Sequence, residues 1–123
     1  AFALSNLSNI LLDQGDFDEA IALLLQVVES GVVARQPRLS ASLFNLALAY
    51  GLNGMFESSL HWFGRLHVDA PHRSRWVAKE LSRRSHFLHL VHTHPDASGL
   101  SVRLAEWFPS ESAGPGGGKS TYG

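Results

Sequence analysis

The sequence predicts an all-α fold with two helix-turn-helix repeats, a capping helix and a short C-terminal helix. Apolar residues recur at helical spacing, glycines divide the periodic stretches, and the pattern of residues 6–21 returns in residues 45–60 at a constant offset of 39. A repeated helical hairpin is typical of a stacked repeat array. The identities at this offset are Leu4/Leu43, Asn6/Asn45, Leu7/Leu46, Gly15/Gly54 and Phe17/Phe56.

The first helix is expected from about Phe2 to Asp13. Gly15 then ends it, because glycine accepts the left-handed conformation that closes a helix. The helical pattern is already under way at the first residues, which indicates a processed product or an excised piece and leaves room for an upstream repeat. We expect one face of this helix to be buried, with Ala3, Leu4, Leu7, Ile10 and Leu11 as its members.

The second helix is expected to start after Asp16, a good N-cap, and to run to about Ser30, where Gly31 stops it. Ala20 is small because the two helices of a hairpin must approach closely there. Residues 32–38 read as an irregular insertion, since Pro37 disfavours a helical conformation in the residue before it.

The second repeat is expected to begin with a helix near Arg38 or Leu39 that ends at Asn53–Gly54. Its partner helix runs from Phe56 to about Val68 and is closed by Ala70–Pro71. The buried stripe of the first of these two helices is Leu43, Leu46, Ala47 and Tyr50.

One longer helix is predicted from Arg73 to about Val91, with a cationic outer face, to cover the end of the array. A break at residues 93–96 precedes a short helix that ends before Pro109, and the Gly/Ser-rich residues 110–123 are expected to be flexible. The predicted organisation is therefore two repeats in residues 1–71 (about 3–31 and 39–71), the two covering helices in 72–109, and a tail in 110–123. The apolar contacts of the covering helices are Trp76, Val77, Leu81, Leu88 and Val91 in the first, and Leu100, Leu104, Trp107 and Phe108 in the second.

The repeated pattern resembles the tetratricopeptide repeat family over roughly residues 3–71. The family's large and small positions are filled by Leu4, Leu7, Ser8, Leu11, Ala20, Leu24 and Val27 in the first copy, and by Leu43, Leu46, Ala47, Tyr50, Ser59, Phe63 and Leu66 in the second. Pro71 matches the closing proline. The chain departs from the family in its spacing, which exceeds the usual period of about 34 residues, in leucine at the Trp position, and in Val32 at the first Pro position. The resemblance implies an α-α superhelix that binds other proteins.

In this family the first helices of successive repeats line a groove, and one subclass grips the terminal carboxylate of a peptide with two Asn and several Lys or Arg. By this resemblance, Asn9, Asn45, Arg75 and Lys79 are the predicted peptide-binding residues. Ser5 stands where that subclass has Lys. Counting from Leu81 as the family's leucine position instead moves the two cationic positions onto Trp76 and Glu80.

Two kinds of partner follow from these patterns. One interpretation is an adaptor for a peptide, possibly an acidic or C-terminal one, bound in the groove. The alternative is a structural subunit of a larger assembly, held through Trp107, Phe108 and exposed repeat edges.

Composition argues against several other functions. The chain has 123 residues, 45% of them hydrophobic and 17% charged, with a net charge of −1, which predicts no gross attraction to nucleic acid or membranes. A nucleic-acid interpretation would rest on the cations between Arg65 and Arg84, with Trp62 and Trp76 nearby. Cysteine is absent, which excludes disulfides and thiolate metal sites. No arrangement of catalytic residues is recognisable, so neither an enzyme nor a cofactor is predicted.

Two motifs have an ordinary explanation beside a functional one. Residues 113–121 end in Gly-Lys-Ser-Thr and formally satisfy a relaxed phosphate-binding loop, but such loops need a strand before and a helix after them. We therefore interpret the segment as a tail, with a nucleotide site as the alternative. The histidines are spaced closely enough for a metal site if the helix persists, and partly exposed side chains at a helix end are the other interpretation; they are His86, His89, His92 and His94.

Overall fold

The computed structural model describes the backbone of residues 2–34 and 39–109, and the side chains of residues 7–30 and 40–109. This part of the chain is all-α and contains no strand. Short 3-10 turns at Pro71–Arg73 and Pro95–Ala97 precede its fifth and seventh helices. The seven helices are α1 (Phe2–Gln14), α2 (Phe17–Ala34), α3 (Leu39–Leu52), α4 (Phe56–Asp69), α5 (Ser74–Ser82), α6 (Ser85–Thr93) and α7 (Ser98–Trp107).

The two predicted hairpins close with the same turn. Gly15 and Gly54 have φ angles of 83° and 82°, in the left-handed region that residues with a side chain rarely adopt. The backbone N–H of Asp16 donates to the carbonyl of Leu11 at 2.9 Å, and Met55 donates to Tyr50 at the same distance. The 39-residue offset therefore holds in backbone geometry as well as in sequence.

The helices of each hairpin pack closely through small residues at equivalent positions. Ala20 in α2 and Ser59 in α4 are both fully buried. The Ser59 hydroxyl donates to the carbonyl of Ala47 in α3 at 2.7 Å, so this buried polar group is satisfied. The close approach expected at Ala20 is thus present in both repeats.

The second helix does not end at Gly31, as the sequence analysis expected. It continues to Ala34, since a glycine ends a helix only where the chain turns into the left-handed region. A helical glycine costs only about 1 kcal/mol relative to alanine. Of the predicted insertion, residues 32–34 are therefore helical, and residues 35–38 lie outside the described part.

The single capping helix predicted from Arg73 to Val91 is also wrong, because the chain forms two helices with a break at Arg83 and Arg84. The N–H groups of these two arginines bond three residues back, to Glu80 and Leu81, and the Ser82 hydroxyl donates to the Lys79 carbonyl at 2.6 Å. Neither glycine nor proline marks this break. Its reason is tertiary: Val77 and Leu81 of α5 and Phe87 and Val91 of α6 all enter the same core.

The short C-terminal helix is present as α7, and the end of this helix packs on α4. Phe108 is buried, with its ring centroid 6.1 Å from that of Phe63. Trp107 stacks on His67 at 5.3 Å and lies against Gly64, while its carbonyl accepts from the Ser74 hydroxyl at 3.0 Å. Phe108 belongs to the chain's own core, and the partly buried Trp107 packs against it. Phe108 is therefore not available to hold the chain in a larger assembly, whereas that role of Trp107 stays a prediction.

The predicted buried face of α1 is only partly buried. Leu11 is in the core, but Leu7 and Ile10 are exposed. Their counterparts in α3, Leu46 and Ala49, are buried, and α3 packs on α2. Among the described residues, no helix buries Leu7 and Ile10 in this way.

Candidate binding recess

A recess of about 410 Å³ lies between α1, α3 and α5. Phe44 of α3 and Trp76 of α5 meet edge to face in its wall, with ring centroids 5.6 Å apart. Leu12 of α1 and Leu48 and Leu52 of α3 also line it. Phe44 and Leu48 are buried in the core, so the partly exposed Trp76, Leu12 and Leu52 form the apolar surface on which part of another polypeptide can be buried.

The two predicted amide residues meet in this recess. Nδ2 of Asn45 donates to Oδ1 of Asn9 at 3.1 Å, joining α3 to α1. The Asn9 amide nitrogen, a donor, and the Asn45 amide oxygen, an acceptor, take no part in this bond. Together they match the acceptor and the donor of a peptide group.

Charged side chains complete the recess. Asp13 of α1 and Glu80 of α5 contribute carboxylates, and Arg84, at the α5–α6 break, contributes a guanidinium group. A guanidinium nitrogen of Arg84 lies 3.8 Å from a carboxylate oxygen of Glu80. The guanidinium carbon lies over the ring of Phe44, 5.9 Å from the ring centroid. The recess is therefore polar at its edge, where two carboxylates and one guanidinium group lie.

Arg75 and Lys79, the predicted cationic contacts, do not line this recess in the described part of the chain. Each precedes a lining residue of α5 by one position, and so lies about 100° further round the helix. The lining residues are Trp76 and Glu80, the pair obtained by counting from Leu81. The binding role of Arg75 and Lys79 stays a prediction.

Arg84 is a recess residue that was not predicted from the sequence. Its spacing of four from Glu80 was a usable signal, since a continuous helix places such residues on one face. The signal is ambiguous because the predicted continuous helix also allows this arginine to belong to the cationic outer face.

The cationic segment is engaged by the chain's own residues at several points. Arg65 pairs with Asp69 at 2.7 Å, and Arg83 pairs with Glu80 at 3.5 Å. Arg73 lies over the Trp76 ring, 4.7 Å from its centroid. Carboxylates and an aromatic ring thus partly neutralise or cover the surface on which a nucleic-acid interpretation would rest.

The histidine cluster gives no metal site within the described residues, where no three His, Asp or Glu side chains are placed to share an ion. His94 has a structural role instead: its Nδ1 accepts from the backbone N–H of Asp96 at 3.1 Å, and its ring packs on Phe56 at 4.8 Å. The phosphate-loop-like segment 113–121 lies outside the described residues. In the part that is described, no helix has the length and apolar character needed to cross a bilayer.

Comparison with known families adds one finding. The family model described as tetratricopeptide repeat matches residues 1–66, which is more than half of the chain. No curated protein and no solved structure matches the chain significantly.

Proposed function

Because this chain belongs to the tetratricopeptide repeat family, whose repeats generally act as protein–protein interaction modules, we propose that it binds a peptide or a segment of a partner subunit in the recess. Members of the family are typically scaffolds without catalytic activity. The observation that carries this proposal is the pairing of Asn9 with Asn45 beside an apolar wall.

The recess suits a peptide because it offers both kinds of contact that a peptide needs. The partly exposed side chains of Trp76, Leu12 and Leu52 supply apolar area for one ligand side chain, and a buried aromatic contact is a common source of binding energy at interfaces. The mutual hydrogen bond fixes the two asparagine amides before the ligand arrives, so less conformational entropy is lost on binding. The ligand's backbone can then bond to the Asn9 amide nitrogen and the Asn45 amide oxygen.

The test is affinity capture of partners with the intact chain, followed by titration of the identified partner. We expect the double variant Asn9→Ala/Asn45→Ala to bind about tenfold more weakly, since each lost hydrogen bond is worth about 0.5–1.5 kcal/mol. The matched control is Val102→Ser, which changes an exposed α7 side chain that does not line the recess. Equal binding by the double variant, with unchanged helix content, would contradict the proposal.

The chemistry of the ligand is a separate question. We propose that Arg75 and Lys79 contact a part of the ligand that extends beyond the recess, and that this part is acidic. Reversing both charges, with Arg75→Glu/Lys79→Glu, is then expected to abolish binding, and binding by the unchanged chain should weaken steeply as salt is added. Binding that is insensitive to salt and to both reversals would limit recognition to the recess itself.

A further inference from the structure

The recess contains an arginine whose hydrogen-bond donors are unused. Arg84 lines the recess, and its side chain is 39% exposed, so a ligand there can reach it. Among the described residues, no acceptor takes a hydrogen bond from its guanidinium group, and its Nε is buried without a partner. A buried donor that lacks an acceptor costs free energy. A ligand that supplies an acceptor to this guanidinium group therefore gains by removing that cost.

A carboxylate of the chain lies beside this arginine without satisfying it. Nη2 of Arg84 is 3.8 Å from Oε1 of Glu80, whereas N–H···O hydrogen bonds span about 2.7–3.2 Å. The other carboxylate oxygen of Glu80 accepts from Arg83 at 3.5 Å. The recess lining thus presents a donor group and an acceptor oxygen side by side, each with hydrogen-bonding capacity to spare.

Trp76 leads from the apolar part of the recess to this pair. Trp76 and Glu80 are four residues apart on α5, so they are neighbours on one face of the helix. The indole is partly exposed and also lines the recess. A ligand side chain whose methylene groups lie on Trp76 therefore brings its end to Glu80 and Arg84.

The charges of the lining restrict what that end can be. A ligand carboxylate would meet the two carboxylates of Asp13 and Glu80, and a ligand ammonium group would meet Arg84 without offering it an acceptor. A primary amide is neutral and carries both an acceptor oxygen and a donor nitrogen. Glutamine combines this group with an apolar stem of two methylenes.

We propose that the recess binds a glutamine side chain of the partner. The amide oxygen accepts from the Arg84 guanidinium group, the amide nitrogen donates to Oε1 of Glu80, and the methylene stem packs on Trp76. This inference rests on the proposed function and names the side chain that enters the recess. Glu80 and Arg84 are then the residues that determine specificity.

The test uses four capped peptides, acetyl-Ala-Xaa-Ala N-methylamide, in which Xaa is Gln, Glu, Lys or Leu. Their ends carry neither a carboxylate nor a primary amide, so only the central side chain differs. Each is titrated into the intact chain, and binding is followed by the NMR signal of the Trp76 indole N–H, assigned with Trp76→Phe. We expect the Gln peptide to bind about tenfold more tightly than each of the other three, because only its amide bonds to both residues.

Two substitutions separate the roles of the pair. Glu80→Gln removes the like charge and keeps the size of the side chain, so the Glu peptide should gain affinity relative to the Gln peptide. Arg84→Met removes the donors and keeps an apolar side chain beside Phe44, so the Gln peptide should bind no better than the Leu peptide. The control is Arg103→Met in α7, which removes an arginine that does not line the recess and should leave all four affinities unchanged. Circular dichroism checks that each variant keeps its helix content.

The proposal is overturned by equal affinities for the four peptides, by tighter binding of the Glu, Lys or Leu peptide, or by the absence of any shift of the Trp76 signal. A preference for glutamine that survives both Glu80→Gln and Arg84→Met also overturns it. The proposed function is tested apart from these peptides, by capture of the partner and the Asn9→Ala/Asn45→Ala variant. A captured partner that depends on the two asparagines, together with peptides that are not discriminated, would reject the glutamine assignment alone.

Discussion

Gly51 illustrates how a single residue sets the distance between two helices. A Cβ added at Gly51 of α3 would lie 2.5 Å from Cε1 of Phe87 in α6 and 3.0 Å from Oγ of Ser59 in α4. Phe87 is buried and its ring packs against Phe63, so it cannot retreat without disturbing the core. A side chain at residue 51 is therefore excluded by packing and not by backbone conformation.

We predict that Gly51→Ala lowers the free energy of unfolding by about 1–3 kcal/mol, the usual cost of overfilling a packed core. Urea denaturation of the purified variant measures this. The matched control is Gly99→Ala in α7, where an added Cβ meets nothing within 4 Å, and where we expect no loss or a gain of up to about 1 kcal/mol. If both variants are equally stable, α3 and α6 do not pack as closely as the structure indicates.

At the scale of elements, the packing of α7 on α4 depends on the residues at the end of α7. The apolar residues within the helix, Leu100 and Leu104, are buried, and Phe108 extends the contact into the centre of the core. Since α4 is covered by α7 at Phe63, Gly64 and His67, the loss of α7 would expose the end of the repeat array.

We predict that Phe108→Ala lowers the free energy of unfolding by about 3–5 kcal/mol, the cost found for buried aromatic residues. Val102→Ala is the comparison on the same element; its side chain is 57% exposed, so its effect should stay within about 0.5 kcal/mol. Denaturant midpoints with unchanged m-values would measure both changes. A small effect of Phe108→Ala would mean that α7 is not held on α4 by this residue.

At the scale of the whole molecule, the described side chains share one continuous core. It runs from Ile21 in α2, through Phe44 and Phe63, to Phe87 in α6 and Phe108 after α7. Residues far apart in sequence should therefore lose their packing together when the chain unfolds. A C-terminal segment that only covered the repeats from outside would not contribute residues to this core.

We predict that the chain unfolds in a single cooperative transition, because both repeats and the three covering helices share this core. Helix content followed by circular dichroism and burial followed by tryptophan fluorescence should give the same midpoint. Trp76 reports on α5 and Trp107 on α7, so variants that retain only one of the chain's three tryptophans locate any disagreement. Two separated transitions would show that the covering helices unfold independently of the repeats.

The local sequence determined the first four helices apart from the end of α2, their glycine turns and the pairing of small residues at Ala20 and Ser59. These features depend on helical periodicity and on the conformations that glycine allows, and both operate over a few neighbouring residues. The contact between Asn9 and Asn45 could be predicted for a related reason, since the repeat places both residues in first helices on the same side of the array.

Only the tertiary structure decided the break at Arg83, the side of α5 that meets the recess, and the burial of Phe108 in the chain's own core. The same is true of Leu7 and Ile10, whose apolar character predicts burial although the described chain supplies no helix to cover them. Each of these outcomes depends on which distant side chains compete for the same space. Periodicity specifies that a residue belongs on an apolar face, whereas the packing of the neighbouring helices specifies whether that face is covered.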